Sequence, residues 1–417
     1  MIFEKIWGYI KKFFSNRKRN IVLIIVLCLL VIDLVLGLIS RVIISGLPDQ
    51  LGASRWEYDG KVAQVSLFFT EDREITPSEI RKLEYTMELE LQKAGLMPEE
   101  EEDVHSDGKE IVDTIDIGHE NTPKEEEASV ISDLYNSCYS AQGLSTLRFE
   151  NKKAENVDTI GVDGDFFFFH PMELVAGSYF MPDDVMKDKI VIDEQLAWEL
   201  FGSNDIIGQC VTIGGINHYV SGVVKRQEGK LKDAAGLSKC IVYMSYDSLS
   251  RYGEILSGKT SSVDLSEDGS KANIGGINCY EVVMPSPVDG IAAQIIRTSS
   301  GFDDQYITVV DNSDRFSFFK LWEVSRSFGK RSMWDKPIFY PYWENLARGY
   351  EDILALLNLV RTVCIVVISV ILAVLVVLAY RNKKWTVRGI VNYLADKKYD
   401  FESDRQKKLL EKQNDTK

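Results

Sequence analysis

The chain has 417 residues, and its 48 Lys+Arg against 63 Asp+Glu leave a net charge of −15, an acid excess that repels phosphate backbones and argues against nucleic acid as a partner. With 45% hydrophobic and 27% charged residues, the chain is too apolar to be disordered. Two charge-free stretches, IVLIIVLCLLVI at 21–32 and TVCIVVISVILAVLVVLAY at 362–380, argue against a purely soluble enzyme, because ~20 apolar residues cross ~30 Å of hydrocarbon.

Charge is distributed unevenly around these stretches. Residues 1–20 hold six bases and one acid, and residues 381–417 hold eleven bases and six acids. The intervening residues 42–350 carry a net −24. Basic residues stay on the cytoplasmic side of a span. That rule predicts a basic cytoplasmic tail over 1–20, a transmembrane helix over 21–44 and an extracytoplasmic domain over 45–350. A stalk and second transmembrane helix over 351–380 and a cytoplasmic tail over 381–417 complete the reading, which places the protein in the cell membrane with both termini inside. The first apolar stretch is longer than the roughly 7–15 residues of a signal-peptide core, so an uncleaved anchor is expected.

Within the outer domain, VAQVSLFF at 62–69 reads as a strand. A helix over 77–94 follows: Thr76 caps it, Pro77 opens it, and Ile80, Leu83, Met87 and Leu91 form its apolar stripe. The acidic, turn-rich residues 97–127 read as a solvated loop. A helix is expected over 127–140, then a β-rich subdomain over 160–225 punctuated by glycines and interrupted by a helix at 193–201 with Asp193 as its cap. A strand over 240–246, a helix over 287–298, a strand over 305–310 and a mixed helical stretch over 313–328 complete the domain. The expected fold class is α+β (α/β-like), inserted between two transmembrane α-helices.

Motifs for chemistry are weak. Gly253, Gly258, Lys259 and Thr260 match a phosphate-loop pattern letter for letter. Neither a strand before nor a helix after is expected there, so the match is read as chance. The four histidines are scattered, and His170 and His218 read as structural. No metal or cofactor site is expected, and no enzyme activity. Cys28 and Cys364 fall in the spans; Cys138, Cys210, Cys240 and Cys279 allow three pairings but read as free or partly paired.

Asp33 lies inside the first span, where an unpaired carboxylate costs several kcal/mol. Its partner is either Arg361, reaching about 10 Å down the second span, or a cation of another subunit. The aromatic stretch 337–350 suits an interfacial belt or a stalk base docked on the domain.

The series Gly161-Val162-Asp163 with Phe166, then Leu174, Gly177 and Phe180, then Leu200-Phe201-Gly202, Ile207-Gly208 and Val220-Ser221-Gly222-Val223 resembles the extracytoplasmic core domain of MacB/FtsX-like ABC transporter permeases. That resemblance implies a membrane subunit whose ectodomain is coupled through its spans to a separate ABC ATPase, for export or mechanotransmission. The family has four spans, so the third and fourth are expected from a partnering permease or a second copy. A two-span sensor or scaffold, binding an envelope component or partner protein without any ATPase, is the alternative. A membrane-anchored extracellular enzyme has no supporting constellation.

Overall fold

The computed structural model describes residues 17–58, 60–71, 73–96, 134–257, 275–331, 336, 338–381, 397–399 and 402–403. Two compact units make up the chain: residues 38–359, and residues 1–37 together with 360–417. The acidic loop 97–127 lies outside the described residues, as do Gly258, Lys259 and Thr260.

The larger unit is built on one mixed sheet with eleven strands among the described residues, ordered β11-β1-β10-β2-β3-β8-β5-β7-β4, with β6 on β2 and β7 and β9 on β2. In chain order these are β1 (Val62–Phe69), β2 (Asn136–Phe149), β3 (Lys152–Gly164), β4 (Leu174–Gly177), β5 (Lys189–Asp193) and β6 (Cys210–Ile213). Next come β7 (Ile216–Val224), β8 (Ile241–Ser245), β9 (Glu254–Ile255), β10 (Cys279–Pro285) and β11 (Ile307–Asp311). The β3–β8 and β5–β7 pairs are parallel and the others antiparallel. Among the described residues the α-helices of four residues or more are α1 (Arg17–Ser45), α2 (Pro77–Lys93), α3 (Phe166–Phe169), α4 (Glu194–Leu200), α5 (Tyr246–Tyr252), α6 (Ile291–Ser300), α7 (Phe318–Arg331) and α8 (Tyr342–Arg381).

Local signals explain much of this. A capping box between Thr76 and Glu79 starts α2, and Ile80, Leu83, Met87 and Leu91 are its buried residues. Asp193 caps α4 by accepting from the Leu196 N–H at 2.7 Å. Side chains alternate across β1. Ala63, Val65, Leu67 and Phe69 join a core that includes α2 and α6. Phe68 joins a second core made of aromatics from α3 and the head of α8.

Three expectations shift. The helix over 127–140 is not one at its described end: β2 starts at Asn136. Burial alternates at Cys138 and Ser140 and, after a phase change at Ala141, again at Gly143, Ser145 and Leu147, the period of a strand rather than a helix. The helix expected from 287 starts at Ile291, because Gly290 adopts φ 81° and turns the chain first. Within the β-rich subdomain, Phe166–Phe169 form an additional single helical turn.

The resemblance residues have identifiable packing roles. Val162, Phe166, Phe180, Leu200, Val220 and Val223 are buried. Gly177 pairs with Gly222 in the β4–β7 ladder. Its φ is 73°, and a Cβ there would stand 2.1 Å from the Ser221 carbonyl oxygen. Only glycine fits.

Candidate functional site

The membrane-helix unit is simple. Its described parts include residues 17–37 of α1 and 360–381 of α8, and both helices are long and apolar enough to cross a membrane. Arg361 Nε donates to Asp33 Oδ1 at 2.9 Å. Gly37, one turn above Asp33, makes room for the contact: a Cβ there would lie 3.4 Å from the Arg361 guanidinium carbon. The structure therefore brings Asp33 and Arg361 together within one chain. The long arginine side chain makes that reach.

In the larger unit, a buried polar network sits where the sheet meets the first residues after α1 and the head of α8. The sequence places its parts far apart. Two single 3₁₀ turns after α1, Pro48–Gln50 and Gly52–Ser54, set Asp49 and Gln50 inside. The polar face of β1 supplies Gln64 and Ser66. Gln64 Nε2 donates to the Asp49 carbonyl at 2.7 Å, and its Oε1 accepts from the Gly52 N–H at 2.7 Å.

His170, which closes α3, is fully buried beneath the ring of Trp343, 4.2 Å away. Its Nδ1 meets Asp49 Oδ1 at 2.8 Å and its Nε2 meets Glu281 Oε2 at 2.5 Å. Burial alone would lower the imidazole pKa, but the two facing carboxylates outweigh it and raise the pKa to about 9. His170 is thus a cation at neutral pH, donating from both nitrogens.

From Glu281 the network continues. Ser66 Oγ donates to Glu281 Oε1 at 2.7 Å, and Asn312 Nδ2 donates to Ser66 Oγ at 2.7 Å. Arg315 Nη1 donates to Asn312 Oδ1 at 3.3 Å and to Gln50 Oε1 at 3.2 Å. Arg315 also grips Glu344 with two parallel bonds, of 2.6 and 2.9 Å, and donates from Nε to Glu351. Arg348 Nε donates to the same Glu344 at 2.7 Å, and its guanidinium lies 3.9 Å from the centre of the Tyr340 ring. Burial would raise the Glu344 pKa, but Arg315 and Arg348 reverse the direction and hold it below the usual carboxylate range. The cations His170, Arg315, Arg348 and Arg55 face the carboxylates of Asp49, Glu281, Glu344 and Glu351.

This arrangement is a set of buried, mutually paired charges. It is a lock: buried pairs with specific geometry hold a single arrangement, because breaking one strands a charge. The chain leaves α1 and enters α8 at this point. The aromatic stretch sits here as well, with Tyr340, Tyr342 and Trp343 buried against Phe166 and Phe169, so it is the docked stalk base. Sequence reasoning missed most of the network. Glu344, Arg348 and Glu351, spaced four and three residues apart at the head of a helix, were the available signal.

Of the phosphate-loop pattern, only Gly253 is described. Helix α5 precedes it and the two-residue β9 follows, the reverse of the strand-then-helix order that cradles phosphate. All six cysteines are free, and Cys138 and Cys279 lie buried on neighbouring strands. His218 is likewise buried, its Nδ1 3.1 Å from the Ile216 carbonyl.

Comparison with known proteins finds a likeness over part of the chain. Residues 104–277 match the family described as the MacB-like periplasmic core domain. The chain is 31% identical over 84 residues to the macrolide export ATP-binding/permease protein MacB of Chromobacterium violaceum, a match covering 20% of this chain and 13% of that relative. The chain thus spans far less than two thirds of the relative's length. Among solved structures, the periplasmic region of MacB from Actinobacillus actinomycetemcomitans is similar at TM-score 0.34 and 13% identity, covering 64% of this chain and 93% of that one. The extracellular domain of the noncanonic ABC-type transporter YknZ from Gram-positive bacteria gives TM-score 0.32 and 15% identity, covering 59% and 99%.

Proposed function

We propose that the chain, whose residues 104–277 match the MacB-like periplasmic core domain, is a MacB/FtsX-like permease-type protein that serves as the membrane subunit of an ABC-transporter-type complex. In this reading a separate ATPase drives the two spans, and the extracytoplasmic domain moves with them to export a substrate or transmit force. Both termini are cytoplasmic, where they reach the ATPase and a four-span permease or a second copy of this chain.

The observation that supports the reading is the continuity of α8. One helix runs unbroken from Tyr342 to Arg381, and its head is bound to the sheet through Arg315, Glu344 and Glu351. A helix held at one end by buried ion pairs carries displacement along its axis, because bending it would cost backbone hydrogen bonds. The nucleotide chemistry belongs to the partner.

The test is purification of the full chain from its own membranes in mild detergent, with its partners identified by mass spectrometry. An ABC ATPase is expected to co-purify in stoichiometric amount. Recovery with an envelope component and no ATPase would support the sensor or scaffold instead.

A further inference from the structure

We propose that α7 is a membrane-interface helix, resting on the bilayer leaflet at the ectodomain side with Phe318, Phe319 and Trp322 among the outer acyl chains. The proposal depends on α1 and α8 spanning the membrane, but not on any ATPase.

Its height is set by its contacts. Leu321 and Val324 pack against Leu354 and Ala355 of α8 and against Ile43 and Ile44 of α1. Glu351 and Asp352 are the last acids of α8. From Ile353 onward its outward side chains are apolar, with Ile353, Leu356 and Leu359 exposed. Asn358 Nδ2 donates to the Phe318 carbonyl at 3.4 Å. Asn358 is five residues past Ile353, or ~7 Å along the helix. The start of α7 therefore lies deeper than the point where the apolar surface of α8 begins.

The side chains suit that depth. Beside the docked stripe, Phe318 is 50% and Phe319 81% exposed, a cost in water that lipid removes. Trp322 stacks on Phe318 at 6.4 Å, and the Arg326 guanidinium lies 5.7 Å from the centre of the Trp322 ring. An aromatic edge beside an arginine that can snorkel suits an apolar–wet boundary. Helix α7 also carries Lys320, Arg326, Lys330 and Arg331 against Glu323 alone. Positive charge on a segment of an otherwise acidic domain favours anionic headgroups over a soluble basic partner.

The experiment places a photoreactive benzoylphenylalanine at position 319 of the full chain, in vesicles of phosphatidylethanolamine and phosphatidylglycerol and in native membranes. Position 365, in the second span, and position 85, on the exposed face of α2, serve as references. After irradiation, phospholipid adducts at 319 should approach those at 365 and exceed those at 85 by roughly tenfold. Lipid at 365 but only background at 319 would overturn the proposal, and so would protein adducts dominating at 319. Absence of lipid at 365 as well would remove the spanning helices and the proposal with them.

Discussion

Arg315 and Glu344 face each other across the base of the ectodomain through two parallel hydrogen bonds of 2.6 and 2.9 Å, with both side chains almost completely buried. The pair joins the loop after β11 to the first turn of α8. Replacing Arg315 with Met removes the cation shared by Glu344 and Glu351 and should destabilise the ectodomain by about 3–5 kcal/mol. The triple change Arg315→Met, Glu344→Leu, Glu351→Met should recover most of that loss, since it leaves no buried charge stranded. Chemical denaturation of the solubilised chain reads both. A single variant as stable as the wild type would mean the pair holds nothing.

The raised pKa of His170 predicts a pH dependence. Its pKa rises from 6.5 to about 9 on folding, so the folded state binds the proton more tightly. The stabilisation is complete below about pH 6.5 and is lost as pH rises through about 9. Melting temperature should therefore fall across that window. His170→Asn should be less stable at neutral pH and should flatten the profile; an unchanged profile in the variant would assign the titration to other groups.

Glu344 predicts the opposite limb. Its pKa is held down by Arg315 and Arg348, so its contribution is present above the ordinary carboxylate range and is lost as pH falls through the depressed value. Glu344→Gln should weaken the acid-side dependence of stability, measured by melting between neutral pH and pH 3. An identical acid limb in wild type and variant would exclude this carboxylate.

In the membrane unit, Asp33→Leu strands Arg361 and Arg361→Leu strands Asp33. Each should cost ~1–3 kcal/mol, and the double variant should cost less than the sum. Gly37→Leu should mimic the single losses, because its side chain would occupy the space of the guanidinium. Unfolding in bicelles supplies the cycle. Strict additivity would show that the pair is uncoupled.

Gly177 and Gly202 make a paired test of the fold. Both adopt positive φ, but a Cβ at Gly177 collides with the Ser221 carbonyl while one at Gly202 meets open space. Gly202→Ala should cost about 1–2 kcal/mol from backbone strain alone. Gly177→Ala should cost about 2–4 kcal/mol, since steric overlap adds to the same strain.

Orientation has its own measurement. Single cysteines placed within 1–15 or 405–417 of an otherwise cysteine-free chain should resist impermeant thiol reagents on intact cells and react after lysis. Labelling of either tail before lysis would overturn the cytoplasmic assignment.

The two apolar helices, β1, α2 and α4 were legible in the sequence because their signals are local. Unbroken apolar length, a Thr76–Glu79 box and an Asp193 cap act within a few residues of the structure they specify. The 136–140 segment was misread because its small and polar residues show no apolar contrast; the period appears only once neighbouring strands cover it. The buried network was hidden for a stronger reason. Gln64 and Ser66 alternate with apolar residues and so read as the wet face of β1, yet both are buried. Alternation determines which side chains share a face, but what covers that face is decided by segments brought from residues 49, 170, 281, 315 and 344. Those five positions meet only because the sheet order β11-β1-β10 and the start of α8 converge on them, and a contact so distant in sequence leaves no periodic trace in the chain.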